Sequence, residues 1–172
     1  AGNITITANE SVTFSGAVPF DIPDLPDENN NRLRRSGLRS EALAGGTGSG
    51  GNITVITPNL AVTEGATLEV TTAGDGNAGN IKLTVSDTVQ VEDLGSAILA
   101  NTLAGSTGDG GNIVIDPQLV LIRNGGRISV DSQGAGDGGD IEITSAQLQL
   151  DQGLLSAETV SSDGGNITLN IA

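Results

Sequence analysis

Gly110-Gly111-Asn112-Ile113-Val114-Ile115-Asp116-Pro117-Gln118-Leu119 decides the fold, because its opening phrase returns along the whole chain. A small residue and Gly, then Asn or Asp, then Ile, stand also at Ala1-Gly2-Asn3-Ile4, Gly50-Gly51-Asn52-Ile53, Ala78-Gly79-Asn80-Ile81, Gly138-Gly139-Asp140-Ile141 and Gly164-Gly165-Asn166-Ile167. The intervals between successive Asn or Asp anchors are 49, 28, 32, 28 and 26 residues. The period is therefore about 28 residues and the first interval carries an insertion of about 20, a pattern that marks a stacked-repeat architecture.

Each repeat divides into three apolar pairs. Two positions after the anchor Ile stand Ile6, Val55, Leu83, Ile115, Ile143 and Leu169, with mostly polar residues between. That alternation marks a half-buried strand. A second pair follows (Val12 and Phe14, Leu60 and Val62, Val89 and Val91, Leu119 and Leu121, Leu148 and Leu150), then a Gly corner (Gly16, Gly65, Gly95, Gly125, Gly153). The third pair is Leu68 and Val70, Ile98 and Ala100, Ile128 and Val130, or Leu155 and Ala157. Three such strands cannot bury themselves alone; they bury by stacking on the next repeat. The expected fold is all-β: a right-handed parallel β-helix (solenoid) with three strands per coil, about five to six coils, and about 4.8 Å between successive strands. Residues 1–172 read as a single β-helix segment with an inserted Pro/Arg-rich arm at about 17–36, and as an excerpt of a longer chain.

In such a stack equivalent residues superpose, so Asn3, Asn52, Asn80, Asn112, Asp140 and Asn166 form one structural ladder. Stacked side-chain amides donate and accept along the axis, and Asn tolerates a left-handed corner. On that logic Asp140, an acceptor only, interrupts the ladder.

Composition removes whole function classes. Seven basic and 21 acidic side chains give a formal charge of −14, which repels nucleic acid and anionic lipid. Cys, His, Met, Trp and Tyr are absent, which leaves no thiol nucleophile, no Ser-His triad and no usual zinc site. The lack of Cys leaves the compartment open, since export through a narrow pore also favours a chain without disulfides. There is no apolar run of about 20 residues and no signal peptide, so any export signal is expected outside this segment.

A few features could carry chemistry. Asp109, Asp137 and Asp163, each three residues before an anchor, would stack into a column of carboxylates. Solvated turn aspartates are the simpler reading; a weak Ca²⁺ site, the one cofactor the sequence offers, is the alternative. Three prolines deny the insertion a central strand, so it reads as an extended arm and a polar turn. Arg32, Arg34, Arg35 and Arg39 lie in or just after it and make a basic spot on an acidic rod, suited to a neighbouring rod or an anionic glycan. The plainer reading pairs these arginines with local acids such as Asp24, Asp27 or Glu28. Arg123 and Arg127 flank a Gly-Gly corner, where balancing nearby acids is simpler than an anion site. Carboxylate pairs such as Asp131 with Asp137, or Glu92 with Asp93, raise the polysaccharide-active enzymes found on β-helices. With no Trp or Tyr for sugar stacking and no long loop besides the arm, a catalytic cleft is hard to build, and the chain reads as no enzyme.

The phrases Gly51-Asn52-Ile53-Thr54-Val55-Ile56-Thr57-Pro58-Asn59-Leu60 and Gly111-Asn112-Ile113-Val114-Ile115-Asp116-Pro117-Gln118-Leu119 resemble the repeats of filamentous-haemagglutinin-like exoproteins, particularly the large cyanobacterial ones. So does Ser36-Gly37-Leu38-Arg39-Ser40-Glu41-Ala42-Leu43-Ala44-Gly45 before the next Gly-Gly-Asn-Ile. The resemblance covers essentially the whole chain except the insertion. It implies two-partner secretion through an outer-membrane transporter, a right-handed β-helix, an extracellular or cell-surface location on a bacterium, and roles in adhesion, aggregation or surface coating. It brings no catalytic residue. The expected function is a structural shaft or filament segment, the alternative a glycan- or receptor-binding adhesin section, and a polysaccharide-active enzyme the least favoured. Expected partners are further coils of the same chain, homotypic end-to-end or lateral association through exposed strand edges, and an extracellular glycan or surface receptor.

Overall fold

The aliphatic pairs form strands, and each strand lies parallel to its equivalent one repeat away. The computed structural model describes residues 1–19, 33–160 and 163–172, and among these are sixteen strands and no helix. The first face stacks β1 (Ile4–Thr7), β6 (Ile53–Thr63), β8 (Ile81–Glu92), β10 (Ile113–Ile115), β13 (Ile141–Ser145) and β16 (Ile167–Ile171) in that order. The second face holds β2 (Ser11–Ser15), the later halves of β6 and β8, β11 (Leu119–Arg123) and β14 (Gln147–Asp151). The third stacks β5 (Gly37–Ala42), β7 (Thr67–Thr72), β9 (Ala97–Thr102), β12 (Arg127–Ser129) and β15 (Leu154–Ser156). The arm leaves the first coil through a short antiparallel pair, β3 (Ala17–Pro19) with β4 (Leu33–Arg35).

This is a parallel β-solenoid of about four turns. The count is slightly below the five to six coils suggested by six anchors, because the arm interrupts the first coil and only β16 represents the last. In two coils the first two strands run together as β6 and β8, whose mutual register shifts between Thr57 and Asn59, at Pro58.

The anchor isoleucines superpose: Ile4 on Ile53, Ile53 on Ile81, Ile81 on Ile113, Ile113 on Ile141 and Ile141 on Ile167. The four inner ones are fully buried. One expected pair is corrected. Val120 and Ile122 enter the core, whereas Leu119 and Leu121 are only half-buried on the outer side. Four consecutive aliphatics carry no alternation, so stacking of Val120 on Val89 and of Ile122 on Val91 sets the phase instead.

The doubled small residue before each anchor has a steric cause. A Cβ on the first glycine of a pair would meet a backbone nitrogen of the following coil: Gly79 at 2.6 Å from Gly50, Gly139 at 2.7 Å from Gly110, Gly165 at 2.7 Å from Gly138. A Cβ on the second would meet a carbonyl oxygen of the preceding coil, at 2.1 Å for Gly51, 2.2 Å for Gly79, 1.8 Å for Gly111, 2.1 Å for Gly139 and 1.7 Å for Gly165. Here the residues point along the rod axis, not in and out. The first position admits Ala1 and Ala78; the second is Gly at every repeat.

The anchor column bonds differently from the expected stack of amides. Each Oδ1 accepts the backbone N–H of the next anchor, at 2.8 Å from Asn3 to Asn52, Asn52 to Asn80, Asn80 to Asn112 and Asn112 to Asp140. Asp140 Oδ1 accepts from Asn166 N at 2.7 Å. Each step from coil to coil needs only the acceptor, so Asp140 continues the ladder and does not interrupt it; at the last rung Asn166 Nδ2 also donates to Asp140 Oδ1, at 3.1 Å. Nor are the rungs left-handed: among non-glycine residues, positive φ falls at the second corner, on Glu64 (54°), Asp93 (77°), Asn124 (52°) and Gln152 (58°). Asn112→Asp should therefore change stability by less than about 0.5 kcal/mol, and Asn112→Leu should cost about 1 kcal/mol, both read by chemical denaturation. A larger loss for Asp than for Leu would show that the amide N–H groups hold the rung.

Candidate functional site

The outer side of the third face carries a groove of about 440 Å³. Its floor follows from register. Gly37, Thr67, Ala97 and Arg127 form one row across β5, β7, β9 and β12, and Arg39, Glu69, Leu99 and Ser129 form the next outward row. Small residues in the first row sink the floor between the second row and the second corner. That corner is raised in the third coil by one extra residue: seven positions separate Val91 from Ile98, against six between Val62 and Leu68 or between Ile122 and Ile128. Leu94 stands there 86% exposed.

Three arginines of a chain with only seven basic residues line this groove: Arg35, Arg39 and Arg127. Arg35, at the base of the arm, donates through Nη1 to the carbonyls of Gly65 (2.9 Å) and Gly95 (2.8 Å), so it straps the first coil to the next two. A Cβ on Gly95 would come within 2.9 Å of that nitrogen. Arg39 pairs with Glu69 at 2.8 Å and with Glu41 at 3.5 Å. The Arg127 guanidinium acts on Asp131 through space and donates no hydrogen bond among the described residues. Arg32, the side chain of Arg34, and the expected partners Asp24, Asp27 and Glu28 lie outside the described residues. Sequence reading placed Arg35 and Arg39 together but missed Arg127, Glu69 and Leu94 as their neighbours. The extra residue before Ile98 was the available signal.

The carboxylate column behaves as part of the corner. Asn77 Nδ2 donates to Asp109 Oδ2 at 3.2 Å, Asp109 N donates to Asn77 Oδ1 at 3.1 Å, and Asp137 N donates to Asp109 Oδ1 at 3.1 Å. Among the described residues no group of three or more Asp, Glu, His or Cys side chains is placed to hold a metal ion. The geometry favours turn aspartates over a calcium site at Asp109, Asp137 and Asp163, because Asp109 turns its oxygens to neighbouring coils and not to a shared centre.

The carboxylates considered for acid–base chemistry are engaged separately. Asp131 receives Ser129 Oγ and Ser156 Oγ, each at 2.5 Å, and the backbone N–H of Glu158 at 3.1 Å. Burial alone would raise its pKa, but these donors and nearby Arg127 outweigh it and hold the carboxyl below its ordinary value. Glu92 is held low chiefly by the Gln90 amide, against some desolvation, with Arg123 at 3.0 Å and Asn124 at 2.8 Å adding to the effect. Asp93 Oδ2 accepts from Glu64 N at 3.2 Å. Both shifts run opposite to the raised pKa a glycosidic general acid requires.

A depressed native pKa means that the contribution of Asp131 is fully present above its unfolded value of about 3.8 and is lost as pH falls through its lower folded value. The stability gap between the wild type and Asp131→Asn, measured by denaturant at pH 7 and pH 3, should narrow on acidification. A constant gap would refute the ionised hub.

No protein-family model, curated protein or solved structure matches the chain.

Proposed function

We propose that this chain is a shaft section of a secreted, surface-displayed exoprotein of the filamentous-haemagglutinin-like kind, serving adhesion, aggregation or surface coating by holding other parts at a distance from the cell. The observation that carries this reading is the coil-on-coil stacking, in which the isoleucine column, the axial glycines and the anchor ladder recur from repeat to repeat. A stack whose repeats contact only their neighbours gains length by adding coils, without redesign of the core. The strongly acidic, cysteine-free composition suits a solvated rod exported unfolded. An enzymatic role is disfavoured by carboxylates kept ionised by neighbours. The second reading, an adhesin section, is favoured by the arginine groove. Antibody against this segment should label intact cells and lose its signal after brief surface proteolysis. An epitope reached only after lysis would sink the shaft reading.

A further inference from the structure

The groove on the third face exceeds what a shaft needs. A shaft requires only a periodic core, whereas here the period is broken by the added Leu94 and by the Arg35 strap, and three arginines gather in one concavity of a chain of net charge −14. With three arginines against the one carboxylate of Glu69, the lining carries an excess of positive charge, and a concave surface with an excess of one sign focuses its field on an incoming ion of opposite sign. We propose that this groove binds an acidic polysaccharide through the carboxylates on its sugar rings.

The chemistry of the lining points to that class. Guanidinium groups match carboxylates in shape as well as charge. Arg39 already holds one, since its Nη2 lies 2.8 Å from Glu69 Oε2, an internal carboxylate standing where a ligand's could. Arg127 is half-buried at the opposite end, its guanidinium with no hydrogen bond among the described residues. Between them Leu94 and Leu99 supply apolar contact for the C–H faces of a ring. The volume falls within the range of small-ligand sites, roughly 300–1,000 Å³. Arg39 and Arg127 sit on strands three registers apart, about 14 Å along the axis, which suits a linear polymer with several anionic groups better than a single small anion. An extended acidic peptide fits less well. Peptides bind sheets chiefly by adding a strand to a free edge, and β7, β9 and β12 are each paired on both sides. What remains is recognition by side chains alone.

The test titrates the full chain with oligogalacturonate, neutral dextran and polyglutamate at low and at physiological salt. Oligogalacturonate should bind and weaken as salt rises; dextran should not bind, and polyglutamate should bind at least about tenfold more weakly. Arg127→Gln should weaken oligogalacturonate binding about tenfold. Glu69→Gln should tighten it about threefold by releasing Arg39. Arg123→Gln makes the same charge change on the second face, against Glu92, and should leave binding unaltered. All three positions lie outside the core, so each variant should melt near the wild type. The site is overturned by no binding at low salt, by an equal loss in Arg123→Gln, or by no gain in Glu69→Gln. Equal affinity for polyglutamate overturns the assignment to a polysaccharide.

Discussion

Replacing Gly108 by alanine should cost about 3 kcal/mol or more, whereas Gly48→Ala, in the same column two coils earlier, should be neutral or stabilise by about 0.5 kcal/mol. A Cβ on Gly108 would stand 2.2 Å from the carbonyl oxygen of Gly76, 2.4 Å from its carbon and 2.8 Å from Asn77 N. A Cβ on Gly48 would meet nothing within 4 Å. Neither glycine has a positive φ, so neither needs glycine for its backbone conformation, and the expected difference is steric. The loss of unfolded-state freedom is also common to both, which makes the pair its own control. Guanidinium denaturation measures it, and for a chain of this size 3 kcal/mol corresponds to a fall of roughly 6–12 °C in melting temperature. Equal effects at the two positions would mean that the coils are not packed backbone to backbone at this corner.

Ile113→Ala should destabilise by about 3–4 kcal/mol. Ile113 is wholly buried and sits between Ile81 and Ile141, so truncation opens a void in the middle of the anchor column. Ile167, 39% exposed on the last strand, should cost less than half as much when truncated. Because each coil contacts only its neighbours, the central void weakens the coupling between the coils before and after it. Unfolding of Ile113→Ala should broaden, with hydrogen exchange rising on both sides of the defect. If Ile167→Ala proves as costly, the core is not the continuous column described above.

Much of this architecture was legible because one period governs it. The recurrence of Gly-Asn-Ile identified the coils, and alternation around Ile53 or Ile81 identified the inward side chains. Where alternation failed, so did the reading: Leu119, Val120, Leu121 and Ile122 are apolar throughout, and only the neighbouring coil decides which pair turns inward. The ladder residues were legible but their bonding was not, since a residue name does not say whether its side chain meets another side chain or a backbone N–H. The groove was half legible. Arg35 and Arg39 stand close in sequence, but Arg127 joins them only through three registers of parallel pairing. Side-chain relations between distant coils are set by stacking, and stacking order becomes visible only once the coils are closed.

The ladder of side-chain oxygens also bears on ageing. Asn is a chemically labile residue, and the anchor asparagines are exposed to water on the outside of the rod. Hydrolysis of an anchor amide yields Asp, which keeps the oxygen that receives the next coil's N–H, as Asp140 already does for Asn166. Slow deamidation would then make the rod more acidic while leaving its joints intact. The side-chain chemistry at each joint thus outlasts the amide that first made it.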